Sequence, residues 1–373
     1  MKIGITGSTG LLGYHVRALL HAGQGRHEIS LATRETFADA ALLDAFVEGL
    51  DAIVHCAGMI RGDEAEVQHV NGWLAETLIA SLERTRSRAA IGYANSTHSE
   101  RETGYGRGKR LAGELLERWG RAAGAAVNNV VLPHVFGEFG QPFYNSVVST
   151  FCHQLAHGET PRIDVDGDLE LVHAQEVARF FVDWLESSAC AAGEVQERRL
   201  TGRGLKVSEM LARLEAMLAR YGGNVFPDLG DPLDLRLFNT LRSYLFPDHY
   251  PGLLALHSDA RGELFEAVKA DQGGQTFISS TLPGITRGNH FHLRKVERFL
   301  VVGGEADIQL RRLFTNEMIT FRVSGERPAF VDMPTFHTHC ITNIGSGELR
   351  TLFWSNEIFD PKDADTFSEM VGI

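Results

Sequence analysis

Residues 1–13 read MKIGITGSTGLLG. Lys2 to Thr6 forms a short apolar run, and glycines follow it at positions 7, 10 and 13. The spacing TGxxGxxG predicts a strand, a tight turn and a helix in immediate succession. Gly7 suits the turn, Gly10 lets a pyrophosphate approach the backbone, and Gly13 lets the helix pack close to the sheet. The helix opens at Leu11, and its free N–H groups and dipole face whatever sits over the turn. The stretch therefore predicts a dinucleotide-binding start to an α/β domain.

Further along, short apolar runs alternate with helical patterns to about residue 190. EISLAT, DAIVHCAG, AAIGYANS and AAVNNVVL read as strands; NGWLAETLIASLERT and YGRGKRLAGELLERWG read as helices. This alternation predicts a parallel sheet covered on both faces, a Rossmann-type domain. Two more helices follow, KVSEMLARLEAMLARYG and LDLRLFNTLRSYLF. After Pro247 the rhythm changes to short β-rich runs separated by Gly, Pro, Asn and Asp. That texture predicts an all-β sandwich or barrel. The expected division is residues 1–247 and 248–373.

Bulk properties agree with two domains: 373 residues, 43% hydrophobic and 23% charged. A net charge of −12 argues against nucleic acid or an anionic membrane surface as partner. Four scattered cysteines, without CxxC spacing, predict a reducing compartment rather than a disulfide framework. The N-terminus has no secretory pattern, and no apolar run is long enough for a membrane span. A cytoplasmic protein is expected.

Tyr105 and Lys109 lie four apart on a helical stretch and so share a face. Ser96 stands at the end of the strand before them. In such a set the Lys109 ammonium lowers the Tyr105 phenol pKa and binds a ribose. Tyr105 then gives a proton to a carbonyl oxygen as hydride reaches its carbon, and Ser96 holds that oxygen. The second strand ends with Thr33 and Arg34 rather than an acid, which favours a 2′-phosphate and hence NADP; Arg34 as a solvated loop charge is the competing reading.

TGSTGLLG, HCAG (residues 55–58), Ser96 and YGRGK together resemble the extended short-chain dehydrogenase/reductases. The resemblance adds Ala57 and Gly58 to the cofactor residues Gly7, Gly10, Leu11, Gly13, Arg34 and Lys109. It implies a nucleotide-sugar substrate. By position, Asn145 and Arg162 are the candidates for gripping its UDP group.

In the C-terminal half, residues 284–304 read G-x5-H-x-H-x4-E-x5-G. His290 and His292, at alternate strand positions, point to one side, and Glu297 returns to it. MPTFHTHCITN follows about forty residues later. Together the two stretches match the cupin signature, which implies a jelly-roll barrel with a metal held by His290, His292, Glu297 and His339. A mixed N/O set suits Zn first, with Ni, Fe or Mn as alternatives. His337 is the rival fourth ligand; the spacing to Asn343 favours His339 and leaves His337 as a catalytic acid or base.

Along nearly its whole length the chain resembles the bifunctional capsule- and O-antigen-synthesis enzymes of the CapF type. YNSVVSTFC, PGITRGNHFH, RFLVVGGEADIQLR, MPTFHTHCITN and NEIFDPKDADTF carry this resemblance. It implies a homodimer acting on a UDP-linked 4-keto-6-deoxy-N-acetylhexosamine. The cupin domain epimerises C3, with His337 or Lys295 as base. The reductase domain then reduces the C4 ketone with NADPH to UDP-N-acetyl-6-deoxy-L-talosamine. Val131 and His134 depart from the family pattern, which has Arg and Asn there.

Overall fold

The structure is a computed structural model that describes residues 1–372. The chain forms two compact units. One comprises residues 1–150 and 163–207; the other comprises residues 151–162 and 208 onward.

The first unit begins with β1 (Lys2–Thr6), α1 (Leu11–Ala22), β2 (Glu28–Ala32), α2 (Arg34–Ala38), α3 (Ala40–Val47) and β3 (Ala52–His55). It continues with α4 (Glu64–Thr85), β4 (Ala90–Ser96), α5 (Gly104–Ala123), β5 (Val127–Leu132) and β6 (His134–Phe136). The helix α6 (Val147–Ala156) runs across the boundary between the units. Then come β7 (Asp168–His173), α7 (Ala174–Leu185), α8 (Ser188–Ala191), β8 (Val195–Arg199) and β9 (Arg203–Lys206). Six parallel strands order as β2-β1-β3-β4-β5-β8. The chain leaves β1 toward β2 and later returns to the other side of β1 at β3. The order reverses there, so the carboxyl ends of β1 and β3 frame the crevice where such sheets bind ligands.

The predicted strands all form. β8 and β9, by contrast, are not legible in the sequence. VQERR and RGLK carry no run of apolar residues, because β8 lies at the sheet edge and both strands are largely exposed. The Rossmann core is built by side chains from both faces, among them Leu43, Ile53, Leu78, Ile91 and Leu116, each fully buried.

The second unit contains α9 (Val207–Gly222), α10 (Pro232–Leu245), β10 (Gly252–Leu253), β11 (His257–Asp259), β12 (Gly262–Leu264), β13 (Gln275–Thr281) and β14 (Thr286–Phe291). It ends with β15 (Glu297–Gly303), β16 (Glu305–Arg312), β17 (Met318–Ser324), β18 (Ala329–Met333), β19 (His337–Asn343), β20 (Leu349–Ser355) and β21 (Phe367–Ser368). Two five-stranded antiparallel sheets, β10-β18-β15-β20-β13 and β17-β16-β19-β14-β21, enclose an apolar core of Leu300, Ile308, Leu310, Val331 and Leu349.

The compact units do not divide at residue 247, as the rhythm of the sequence suggests. The helices α9 and α10 belong with the β-rich unit, and a buried polar network gives the reason. Arg298 on β15 clasps Asp332 on β18 with two hydrogen bonds of 2.7 and 2.8 Å. Tyr221, at the end of α9, donates to the same carboxylate. Arg242 on α10 donates to the Met333 carbonyl at 2.7 Å. Helical periodicity reports which face is buried, not which sheet it is buried against. Asp332→Ala leaves the Arg298 guanidinium buried without its partner; a destabilisation of ~3–5 kcal/mol is expected in chemical denaturation. Unfolding at the wild-type midpoint would refute that structural role.

Among the described residues no helix is long and apolar enough to cross a membrane.

Candidate functional site

At the start of the first unit, β1 hands over to α1 through Gly7, whose φ of +68° places it in the left-handed region. A Cβ at Gly13 would lie 2.1 Å from the Gly7 carbonyl oxygen, so α1 can approach the turn this closely only with glycine there. A Cβ at Gly10 would meet nothing nearer than that same oxygen at 3.4 Å, so the space above it is open. Gly10 caps α1 with no side-chain hydrogen bond, and the first turn holds no acid. The N–H groups beginning at Leu11 thus face an open, uncapped helix end, the setting a pyrophosphate fits.

Across the crevice, Thr6 joins the two strand ends. Its hydroxyl lies 2.8 Å from His55 Nδ1 and accepts from the Ala57 N–H at 3.1 Å. Burial lowers the His55 pKa to about 3, and Lys109 adds to this, so the ring is neutral and can accept the Thr6 proton. Asn71 on α4 fixes the next turn. It donates to the Met59 carbonyl at 2.7 Å, accepts from the Met59 N–H, and fills the space beside Gly58. Asn71 was missed in the sequence. Its only signal is a polar residue on the apolar face of NGWLAETLIASLERT, and that pattern is also read as a solvated position.

Arg34 is exposed in the first turn of α2, just past the end of β2, and makes no ion pair among the described residues. The helix is capped by Thr33, so this short turn fixes where Arg34 emerges.

The structure brings Ser96, Tyr105 and Lys109 together. Ser96 ends β4, near enough to the Tyr105 hydroxyl to pull its pKa down. Lys109, 5% exposed, donates to the Ala94 carbonyl at 2.8 Å and lies 6.0 Å from the Tyr105 ring centre. Burial brings its pKa down to about 8, which Cys56 partly opposes. The expectation that Lys109 lowers the Tyr105 pKa is not met. Burial raises it, Ser96 only partly offsets this, and Tyr144 raises it further. The phenol is therefore protonated at neutral pH, ready to donate.

His98, on the turn after Ser96, sets its ring edge to face against Tyr105 at 6.0 Å. His134 lies 3.3 Å from Ser146 Oγ, and burial with the nearby His98 lowers its pKa to about 4. Val131 is buried in β5. Asn145 is exposed in the first unit, and Arg162 is exposed at the end of a segment of the second.

In the second unit, β14, β15 and β19 deliver His290, Glu297 and His339, with His292 just beyond β14. One ligand atom from each lies within 4.8 Å of all the others. His292 Nε2 is 2.9 Å from Glu297 Oε2, and His339 Nε2 is 3.7 Å from the same oxygen. The other ring nitrogens face backbone carbonyls. His292 Nδ1 is 2.5 Å from the Asp365 oxygen and His339 Nδ1 is 3.2 Å from the His337 oxygen. These bonds place the protons on Nδ1 and turn the Nε2 lone pairs inward. The Nε2 atoms of His290 and His339 lie 3.2 Å apart. Three imidazoles and one carboxylate converging within 4.8 Å make a donor set that fits a divalent metal such as zinc.

His337 is outside this cluster, and His339 is within it. Its ring packs 4.8 Å from Phe246, and its Nδ1 lies 3.0 Å from the Thr335 oxygen. Burial first, and Arg312 nearby, hold its pKa to about 3. Lys295 directs its ammonium to the Ala364 carbonyl at 2.6 Å.

Comparisons with known proteins define the class. Residues 3–195 match the NAD dependent epimerase/dehydratase family, to which the chain belongs. Residues 257–367 match the polysaccharide biosynthesis C-terminal domain. Over its full length the chain is 30% identical to the UDP-2-acetamido-2,6-beta-L-arabino-hexul-4-ose reductase of Pseudomonas aeruginosa, covering 99% of that protein. It is 28% identical to the capsular polysaccharide assembling protein CapF of Staphylococcus aureus, with a TM-score of 0.62 and full coverage of both chains. RMD from Pseudomonas aeruginosa complexed with NADPH shares the α/β fold at 16% identity. Its TM-score is 0.54, over 65% of this chain and 97% of that one. The chain thus joins a Rossmann-type epimerase/reductase domain to a β-rich, cupin-like domain in the manner of CapF.

Proposed function

We propose that the protein is a bifunctional nucleotide-sugar enzyme of surface-polysaccharide synthesis. Its substrate is a UDP-linked 4-keto-6-deoxy-N-acetylhexosamine. The second unit inverts C3 and the first reduces the C4 ketone, giving UDP-N-acetyl-6-deoxy-L-talosamine. One observation carries this reading: a complete Ser96–Tyr105–Lys109 set and a convergent three-histidine, one-carboxylate set occur in a chain alignable end to end with a keto-sugar reductase.

The two reactions share one chemical fact. A ketone at C4 makes the C3–H acidic. In the second unit a base removes that proton, and the enolate takes a proton back on its other face. His337, buried and two residues from His339 in the chain, is the assigned base. A divalent cation held by His290, His292, Glu297 and His339, zinc in this reading, would supply positive charge to that pocket. In the first unit, Gly7, Gly10, Leu11, Gly13, Ala57 and Gly58 shape the cofactor site, and Arg34 takes the 2′-phosphate of NADPH. The bound cofactor supplies a hydride to C4. Ser96 orients O4, Tyr105 protonates it, and Lys109 holds the ribose. Reduction ends the acidity at C3, so the inverted configuration is kept. Asn145 and Arg162 bind the UDP group, and the protein works as a cytoplasmic homodimer.

A second reading keeps the reductase and makes the C-terminal unit a metal-bound dimerisation module. The closed, largely buried four-ligand set favours it, because structural zinc sites are closed in the same way.

The whole proposal is tested by supplying the UDP-4-keto sugar with NADPH and identifying the product by NMR. A 4-hydroxy product inverted at C3 is expected; a product that retains the C3 configuration would overturn the epimerase half. The cofactor assignment has its own check. Arg34→Ser is expected to weaken NADPH binding by roughly tenfold or more, the loss of one charge-assisted contact, and to leave NADH binding unchanged. Equal losses for both cofactors would remove Arg34 from the 2′-phosphate.

A further inference from the structure

Two of the four ligand side chains, His292 and Glu297, are joined by residues 293–296, which lie in no strand. The shape of this link sets the spacing of the two ligands. Its backbone N–H groups have no sheet partner, yet side chains from one distant segment satisfy all four. The Asp365 carboxylate accepts from Leu293 at 3.1 Å, Arg294 at 2.9 Å and Lys295 at 2.8 Å. Asn356 accepts from Val296 at 2.8 Å. The Asp365 backbone oxygen also receives His292 Nδ1, the bond that turns His292 Nε2 inward. Asp365 is 6% exposed and has a φ of +44°, a conformation that Asp and Asn tolerate better than most residues. Side chains of the link reach back: Lys295 to the Ala364 carbonyl and Arg294 to Asp363. Both acceptors lie in NEIFDPKDADTF, a stretch with no role in the chemistry above.

We propose that Asp365 is the positioning residue of the metal site. Its carboxylate fixes the link between His292 and Glu297, and its carbonyl fixes the His292 ring. A metal site loses affinity when the groups that orient its ligands are removed, even though every ligand remains. The inference rests on the metal reading of the four-ligand set.

The test uses the full-length chain, stripped of metal and titrated with Zn2+ against a chelator, with Co2+ absorption as a geometric readout. Asp365→Ala is expected to bind Zn2+ about 10–100-fold more weakly and to alter the Co2+ spectrum. Asp365→Asn keeps the left-handed backbone and one acceptor oxygen, so a smaller loss is expected. Circular dichroism and NADPH binding by the first unit confirm folding. Should Asp365→Ala fail to fold, Asp365→Asn carries the measurement. Wild-type affinity and an unchanged Co2+ spectrum in the folded variants would overturn the inference alone. A wild-type protein that takes up neither metal would overturn the metal reading, and the inference with it.

Discussion

Tyr105→Phe is expected to slow NADPH oxidation by the UDP-4-keto sugar by roughly a hundred- to ten-thousand-fold. The change removes one oxygen and keeps the ring. That oxygen is the proton donor at O4, kept protonated by burial. NADPH affinity should be unchanged, because the glycine turn, the open end of α1 and Lys109 are untouched. The loss should therefore appear in kcat with KM little altered, the pattern of a contact realised in the transition state. Oxidation at the wild-type rate would remove Tyr105 from the chemistry. In the wild-type protein, reduction should also decline as pH rises through about 8, where buried Lys109 loses its proton. The sign follows from the charge: the Lys109 ammonium holds the cofactor's ribose oxygens more firmly than the free amine does.

The second large effect separates the two units. In deuterated water without NADPH, deuterium is expected to enter C3 of the keto sugar, since removal and return of that proton needs no hydride. His290→Ala removes one of the four converging ligand atoms, so the bound metal and the exchange should be lost together. The same variant should still oxidise NADPH with a substrate already inverted at C3. His337→Gln should keep its metal and lose the exchange. Exchange that persists in His290→Ala would detach the metal from epimerisation. No exchange in the wild type would favour the dimerisation-module reading.

Much of this was legible in the sequence for a definite reason. The glycine turn, Ser96, Tyr105–Lys109 and the two halves of the cupin signature each rest on local spacing. A helix puts residues four apart on one face, a strand puts alternate residues on one side, and a turn with positive φ needs glycine. The affinity of α9 and α10 for the β-rich unit was not legible. It depends on Asp332 and Arg298 meeting Tyr221 from more than seventy residues away. Asn71 escaped because an asparagine on a helix gives no sign of which backbone it will hold. The raised Tyr105 pKa escaped because burial is a property of the packed fold.

The sequence by itself determined the class of fold and drew attention to the polar side chains of each domain, because strands, helices and turns are encoded at short range by periodicity and turn chemistry. Only the tertiary structure gathered His339, and not His337, with His290, His292 and Glu297, assigned the helices to their unit, and placed Asp365 on the link between His292 and Glu297. These are matters of which distant segments share one interior, and hydrogen bonds across that interior leave no periodic trace in the chain.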